Sequence, residues 1–387
     1  MIKKKIVRVA TVAGALDFLE GQLEHYSREY EVVAVASGAD KLREVGEREG
    51  VRTHEIKMAR PIALWQDLQS LVAMTAFLAK EKPLIVHSMT PKAGLISMVA
   101  AWLTRVPVRI HTYTGLIFPT ATGFKQKVLI AMEKVQCFCA TRIIPEGEGV
   151  KKDLEAYHIT KKPLTVLLNG SIKGLDEKKF DPALITDEQK AELREKLGIA
   201  PDDFVFIFVG RINRDKGINE LIRAFTGLHT TRRTKLLLVG SFENDQNPIL
   251  PETSQAISEN PDIITVGSQR DVRPYYAVSD ALAFPSYREG FPNVPQEAGA
   301  MGLPSIVTDI NGSNEIIIEG QNGTIIPPRD ADALREAMQK FLDEPEYVRS
   351  LATNARPLIT SRYNPQAIWD ATLGVYKEEE AKLNRKH

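Results

Sequence analysis

Cysteine is nearly absent. The 387-residue chain has two, Cys137 and Cys139, in the run VQCFCATRII. Two positions apart in a helix or strand, they are badly placed to bridge each other or share a metal. They read as reduced, buried thiols of a cytoplasmic protein. Long apolar runs are absent too. The longest, near Ala93–Leu103, is too short to cross a bilayer. Lys3–Lys5 followed by apolar residues mimics a leader peptide, but Arg8 interrupts that run. A first strand and turn is the expectation there, in a protein that is soluble or at most peripheral. Net charge is absent as well, with 50 Lys and Arg against 50 Asp and Glu. That balance argues against a nucleic-acid partner and against an acidic disordered tail.

The zero conceals an asymmetry. Residues 1–180 hold 27 basic and 19 acidic side chains, a net of +8, and residues 181–387 hold 23 and 31, a net of −8. Two halves of opposite sign suit two domains with different partners, or uneven surface charge without function.

What is present is an alternation of short β-rich runs with helical periodicity. Strands are expected at Lys5–Val12, Val32–Ala36, Leu84–His87, Val108–Thr112, Arg142–Ile144 and Leu164–Leu168. Helices are expected at Leu64–Ala79 and Lys125–Cys139. Asn169–Gly198, rich in Lys, Asp, Glu and Gly, reads as a connection between domains. Strands resume at Phe204–Val209, Lys235–Val239, Ile263–Val266, Ala281–Phe284, Ser305–Val307 and Gly323–Ile326, and 366–386 reads as a final helix. The pattern predicts an α/β protein with two doubly wound parallel sheets in tandem. No short-period repeat is visible.

Two segments carry chemistry. In VGRINRDKGINELIRAF, a strand runs into Gly210-Arg211, then a loop, then Lys216-Gly217 opening a helix. Ligands of open α/β sheets bind beyond the carboxyl ends of strands. Glycine admits an anion close to the backbone, a helix N-terminus supplies amide donors, and Arg and Lys supply charge. From residues alone this is a phosphate site or two solvated cations; P-loop spacing is absent. In FPSYREGFPNVPQEAGAMGLPSIVTD, Asn293 is placed to cap a helix that carries Glu297, and Glu289 lies in the preceding loop. These glutamates are candidate acceptors for sugar and ribose hydroxyls, or Glu297 simply favours its helix start.

Together the segments resemble retaining glycosyltransferases of family 4, which have the GT-B fold. Glu289 and Glu297 match the family's E-x7-E pattern as E-G-F-P-N-V-P-Q-E, followed by A-G-A-M-G-L-P and then G-S-N-E at Gly312–Glu315. Gly210-Arg211 and Lys216-Gly217 lie upstream at the family's distance. Asn169-Gly170 and Lys179-Phe180 resemble its inter-domain connection. The likeness spans nearly the whole chain and is strongest over Phe204–Pro327. It implies Rossmann-like domains at 1–180 and 181–365 facing a central cleft, with a helix at 366–387 returning to the first domain.

The resemblance also assigns roles. Arg211 and Lys216 would hold the donor diphosphate and stabilise the leaving group, while Glu297 would bind ribose. Glu289 with the backbone of Gly290, Phe291, Asn293 and Val294 would bind the transferred sugar and phosphate. Val266–Arg270 would line the base. Gly14 would lie near the diphosphate, though this chain has one glycine there and not a pair. On the acceptor side, His87–Gly94 and Arg109–Pro119 resemble a capsule and surface-polysaccharide branch. Relatives carry His immediately before the glycine matching Gly115, where this chain has Thr114. His111 would take a catalytic or sugar-contacting role, or is a strand-end histidine bonded to backbone. Lys92 is a candidate for an acceptor phosphate.

The implied reaction transfers a sugar from a nucleotide-sugar, best taken as a UDP-linked hexose or N-acetylhexosamine, with retention and without metal or cofactor. The implied acceptor is a polyprenyl-diphosphate sugar, and a basic first domain suits an anionic membrane surface. Asp330-Ala331-Asp332 reads as a helix cap and not as the metal motif of a different glycosyltransferase fold. A nucleotide-sugar epimerase on the same scaffold and a non-catalytic nucleotide-sugar-binding protein are the other readings.

Overall fold

In a computed structural model, residues 3–59, 63–229, 232–243 and 247–385 are described. The chain divides into two compact units, Met1–Gly174 with Pro365–His387, and Leu175–Asn364. The expected boundary was residue 180.

The first unit is built on six parallel strands: β1 (Lys5–Val12), β2 (Glu31–Ser37), β3 (Arg52–Glu55), β4 (Ile85–Met89), β5 (Val108–Tyr113) and β6 (Arg142–Pro145). Their order is β3-β2-β1-β4-β5-β6. The second unit has β7 (Phe204–Val209), β8 (Thr234–Val239), β9 (Ile263–Thr265), β10 (Ala281–Phe284), β11 (Ser305–Thr308) and β12 (Gly323–Ile326). Their order, β12-β11-β10-β7-β8-β9, repeats the first sheet's winding. Each sheet winds outward on one side, then returns to the other, as in the Rossmann arrangement. The reversal lies between β1 and β4 in one unit and between β7 and β10 in the other.

Parallel strands covered on both faces need apolar residues on both. FVFIFV of β7 is buried throughout. In β1, alternation separates two cores: Val7 and Val9 join one cluster, Ile6 and Ala10 the other. The helices Leu64–Glu81, Pro91–Leu103 and Gly123–Cys139 cover the first of these faces. The C-terminal helix Pro365–Asn384 covers the other, with Tyr376 fully buried. Lys386, within the expected helix, lies outside the described residues.

Three expectations need correction. Leu164–Leu168 is not a strand: only Leu164 bridges to Ile143, and Leu168 turns to φ +51°, which ends an extended run. The strand Arg52–Glu55 was not foreseen; all four residues are exposed at a sheet edge, so no apolar alternation marks it. Asn293 is the first helical residue and not the cap, because Pro292 is already extended at the cap position and Asn293 makes no capping bond. Asp330 does cap its helix, accepting from the Ala333 amide at 2.8 Å, and Asp332 lies 3.7 Å from Arg335 and 3.9 Å from Arg223. Cys137 and Cys139 are free, buried thiols.

Candidate active site

In the second unit the loops that leave the carboxyl ends of the strands are locked together through glycines. Gly240, after β8, has φ +156°, and a Cβ there would stand 1.7 Å from the Gly210 oxygen. Its amide donates to the Gly267 oxygen at 2.9 Å. Gly217 has φ +71°, and a Cβ there would meet the Pro285 oxygen at 2.1 Å. Gly312 has φ +77° and lies against Gly290 and Phe291, which a Cβ would approach within 2.5 and 2.7 Å. No L side chain fits these approaches. The result is one continuous rim, centred on the β7–β10 reversal where doubly wound sheets take ligands.

Lys216 ends a short turn over Arg214–Lys216. Asn213 holds that turn, its Oδ1 accepting from the Lys216 amide at 3.1 Å. The turn docks on the loop after β10, where the Tyr287 amide donates to the Asp215 oxygen at 2.9 Å. This brings the Lys216 ammonium onto Glu289 Oε1 in an ion pair with both side chains 16% exposed. Ser286, fully buried, donates to the same carboxylate oxygen at 2.6 Å. The Phe284 ring lies 5.6 Å from the Lys216 nitrogen. A cation and a carboxylate from different loops are thus held side by side in a half-dry position.

Arg211 is on the same rim but is turned elsewhere. Its guanidinium makes two bonds to the Glu243 carboxylate, at 2.8 and 3.0 Å, and is 61% exposed. Asn213 donates to Glu243 at 2.5 Å. Hydrogen bonding from Asn213 and the Arg211 charge hold the Glu243 carboxyl below its ordinary range. Glu297, on the helix Asn293–Ala300, accepts from the Tyr276 hydroxyl at 3.4 Å. Burial, and next the Glu297 charge, push the Tyr276 hydroxyl well above its ordinary pKa, so it stays a donor. Phe291 is buried, edge-on to Tyr363 at 5.7 Å, so only its backbone is available to a ligand. Gly290, Asn293 and Val294 are half-buried on the rim.

In the first unit the reversal is marked by strain. Thr90, a β-branched residue, has φ +72°, a region such residues avoid. Thr11 secures it: the two hydroxyl oxygens are 2.7 Å apart. Gly14 lies past the strand end, in the turn Ala13–Leu19, and a Cβ there would meet nothing within 4 Å. Lys92 opens the next helix with its ammonium 2.6 Å from Asp67. Thr114 is half-buried just after β5.

His111 is not placed to touch a substrate. Its ring is 1% exposed, its Nδ1 is 2.8 Å from Ser88 Oγ, and Tyr113 stacks edge-on at 4.6 Å. Gly94 leaves room for the ring; a Cβ there would reach it at 2.5 Å. Burial lowers its pKa to about 3, so it is a neutral packing residue. Neither a ligand role nor a backbone bond describes it.

Sequence reasoning missed Ser286, Asn213 and Glu243. Ser286 and Asn213 follow strands beside the reversal, which is the one signal that could have marked them.

Residues 189–357 match the family described as glycosyl transferases group 1, and residues 14–170 match a glycosyl transferase 4-like domain. Over 388 residues the chain is 35% identical to the Staphylococcus aureus capsular polysaccharide biosynthesis glycosyltransferase CapM, covering 99% of this chain and 100% of that one. The chain belongs to the family 4 glycosyltransferases. A second relative, the Escherichia coli UDP-Gal:α-D-GlcNAc-diphosphoundecaprenol α-1,3-galactosyltransferase, is 28% identical over 79% of this chain and 78% of its own. The GT-B fold is shared with Anabaena HepE, solved in complex with UDP, at a TM-score of 0.81 and 17% identity over 97% of this chain and 100% of that one. The rim around Lys216 and Glu289 lies within the group 1 match, and the strained Thr90 within the other.

Proposed function

We propose that this glycosyltransferase moves a hexose or N-acetylhexosamine from a UDP-sugar, with retention, onto a saccharide carried by polyprenyl diphosphate, in bacterial surface-polysaccharide synthesis. The observation that carries the reading is the Lys216–Glu289 pair on the glycine-locked rim at the β7–β10 reversal. The UDP bound to HepE supports a uridine donor. The lipid-diphosphate acceptor of the E. coli relative and the capsular role of CapM support the acceptor and pathway class.

In this reading the donor diphosphate takes Lys216 and Arg211 as counter-charges, Arg211 exchanging Glu243 for phosphate. Two cations aimed at the departing diphosphate stabilise charge as it develops. Glu289 stays on Lys216 and accepts from hydroxyls of the transferred sugar, and Glu297 accepts from the ribose. The bond from the anomeric carbon to the phosphate oxygen breaks, and the bond to the acceptor oxygen forms on the same face. The acceptor proton passes to an oxygen of the departing UDP. Open space over Gly14 suits a bulky anion beside the first unit's reversal.

The test pairs thermal shift across nucleotide-sugars with transfer to a polyprenyl-diphosphate-linked sugar. A bound donor raises the melting temperature by mass action. The reading expects one UDP-sugar to do so and to yield an α-linked product. A donor isomerised without any acceptor would replace it with epimerase chemistry.

A further inference from the structure

The structure assigns a membrane-docking face to the first unit: the outer side of the helices Gly123–Cys139, Pro91–Leu103 and Leu64–Glu81, fitted to a bilayer surface of anionic phospholipid.

The helix Gly123–Cys139 is apolar on two sides, the face packed on the core and a face turned to water. At 100° per residue, Phe124, Val128, Ala131, Val135 and Phe138 fall in one stripe. That stripe points outward: Phe124 is 82% exposed, Phe138 69% and Val135 48%. The inward side sets Cys137 and Cys139 into the core, with Glu133 and Gln136 buried beside them. A second apolar stripe that the core leaves uncovered is a pattern that water does not favour.

The neighbouring helices extend the stripe. Pro91–Leu103 packs between the other two. Its exposed Trp102 meets Phe138 with ring centroids 6.2 Å apart. Leu64–Glu81 exposes Trp65, Leu68 and Val72 and carries no charge between Asp67 and Lys80. On the opposite face of the same sheet, helix Ala39–Glu49 shows the ordinary arrangement, with Asp40, Lys41, Arg43 and Glu44 outward.

Charge commits the occupant. From Lys82 to Pro145 the sequence has eight basic residues and a single acid, Glu133. That acid is buried and accepts from the Tyr113 hydroxyl at 2.9 Å. Lys125, Lys127 and Lys134 flank the apolar stripe and form no ion pair among the described residues. Apolar side chains at the centre with lysines along the edge fit acyl chains below and anionic headgroups beside them. A second copy of the chain would set these lysines against one another. This face is independent of the glycosyl-transfer reading, since docking requires no donor.

Co-sedimentation of the full chain with phosphatidylglycerol vesicles and with phosphatidylcholine vesicles tests the assignment. Binding to phosphatidylglycerol is expected to exceed binding to phosphatidylcholine by at least about tenfold and to fall with salt. Phe124→Ser with Phe138→Ser should weaken it at least about tenfold while the melting temperature holds, because both rings are exposed. Lys125→Gln with Lys127→Gln should weaken it by about fivefold per lysine, and decides the matter if the phenylalanine variant misfolds. Absent binding, equal binding to both vesicles, or unchanged binding in the variants overturns the assignment. So does a concentration-dependent dimer, seen by sedimentation velocity, that Phe138→Ser dissociates without any vesicle binding.

Discussion

Lys216 and Glu289 form an ion pair across the β7–β10 reversal although 73 residues separate them in sequence. The contact exists because Gly217 lets its loop reach the Pro285 carbonyl. If this pair holds the donor, its members act together. Lys216→Met and Glu289→Gln should each lower kcat/KM by about 10²–10³. The double variant should lose less than the product of the two, a coupling of about 1–3 kcal/mol. Independent, multiplying effects would separate their roles.

Arg211 and Glu243 make a competing pair. Donor binding in the proposed geometry requires Arg211 to leave Glu243. Glu243→Gln should therefore lower the donor KM by about two- to fivefold, since an exposed pair contributes little to stability. Arg211→Ala should raise it. A raised KM in Glu243→Gln would mean that the carboxylate itself orients the donor.

Removal of metal bears on the same two cations. If Arg211 and Lys216 meet the charge of the leaving diphosphate, turnover should persist unchanged in EDTA. A loss restored by magnesium or manganese would show that a divalent ion shares that task.

His111 is a stability residue in this account. His111→Gln removes the Ser88 bond and disturbs the space shaped by Gly94, costing about 1–3 kcal/mol by thermal or urea unfolding. Turnover of the folded variant should stay within about threefold. A hundredfold loss at unchanged stability would return His111 to the catalytic set.

Glu133 gives the first unit a pH signature. Burial pushes its carboxyl up to about 7, against an ordinary 4.5, with the Tyr113 hydrogen bond opposing in part. The folded form therefore holds a proton that the unfolded chain has lost. Its contribution is fully favourable below about 4.5 and is lost as pH rises to about 7, a change of roughly 3 kcal/mol. Burial of His111 and His87 as neutral rings acts the other way, withdrawing stability as pH falls below about 6.5. Glu133→Gln should thus stabilise the protein more at pH 8 than at pH 5, measured by chemical unfolding. An equal effect at both would place the carboxyl's titration elsewhere.

Much of the fold was legible because buried parallel strands write themselves as apolar runs, as FVFIFV does. The edge strand Arg52–Glu55 left no such mark, since its pairing with β2 uses backbone and buries none of its side chains. Leu164–Leu168 carried the mark without the strand, because left-handed turns at Leu168 and Ser171 redirect the chain. At the site, charged and glycine motifs pointed to Lys216, Arg211, Glu289 and Glu297. Their partners were illegible: Ser286 and Glu243 are ordinary residue types that matter only through three-dimensional proximity. His111 misled for the same reason, since position at a strand end does not reveal burial.

The most direct test of the central claim is transfer of labelled sugar from UDP-sugars to a polyprenyl-diphosphate-linked acceptor, by wild type and by Lys216→Ala of matched melting temperature. An α-linked product from wild type and a loss of about 10²–10³ in the variant are expected. Equal turnover by the two proteins would contradict the claim.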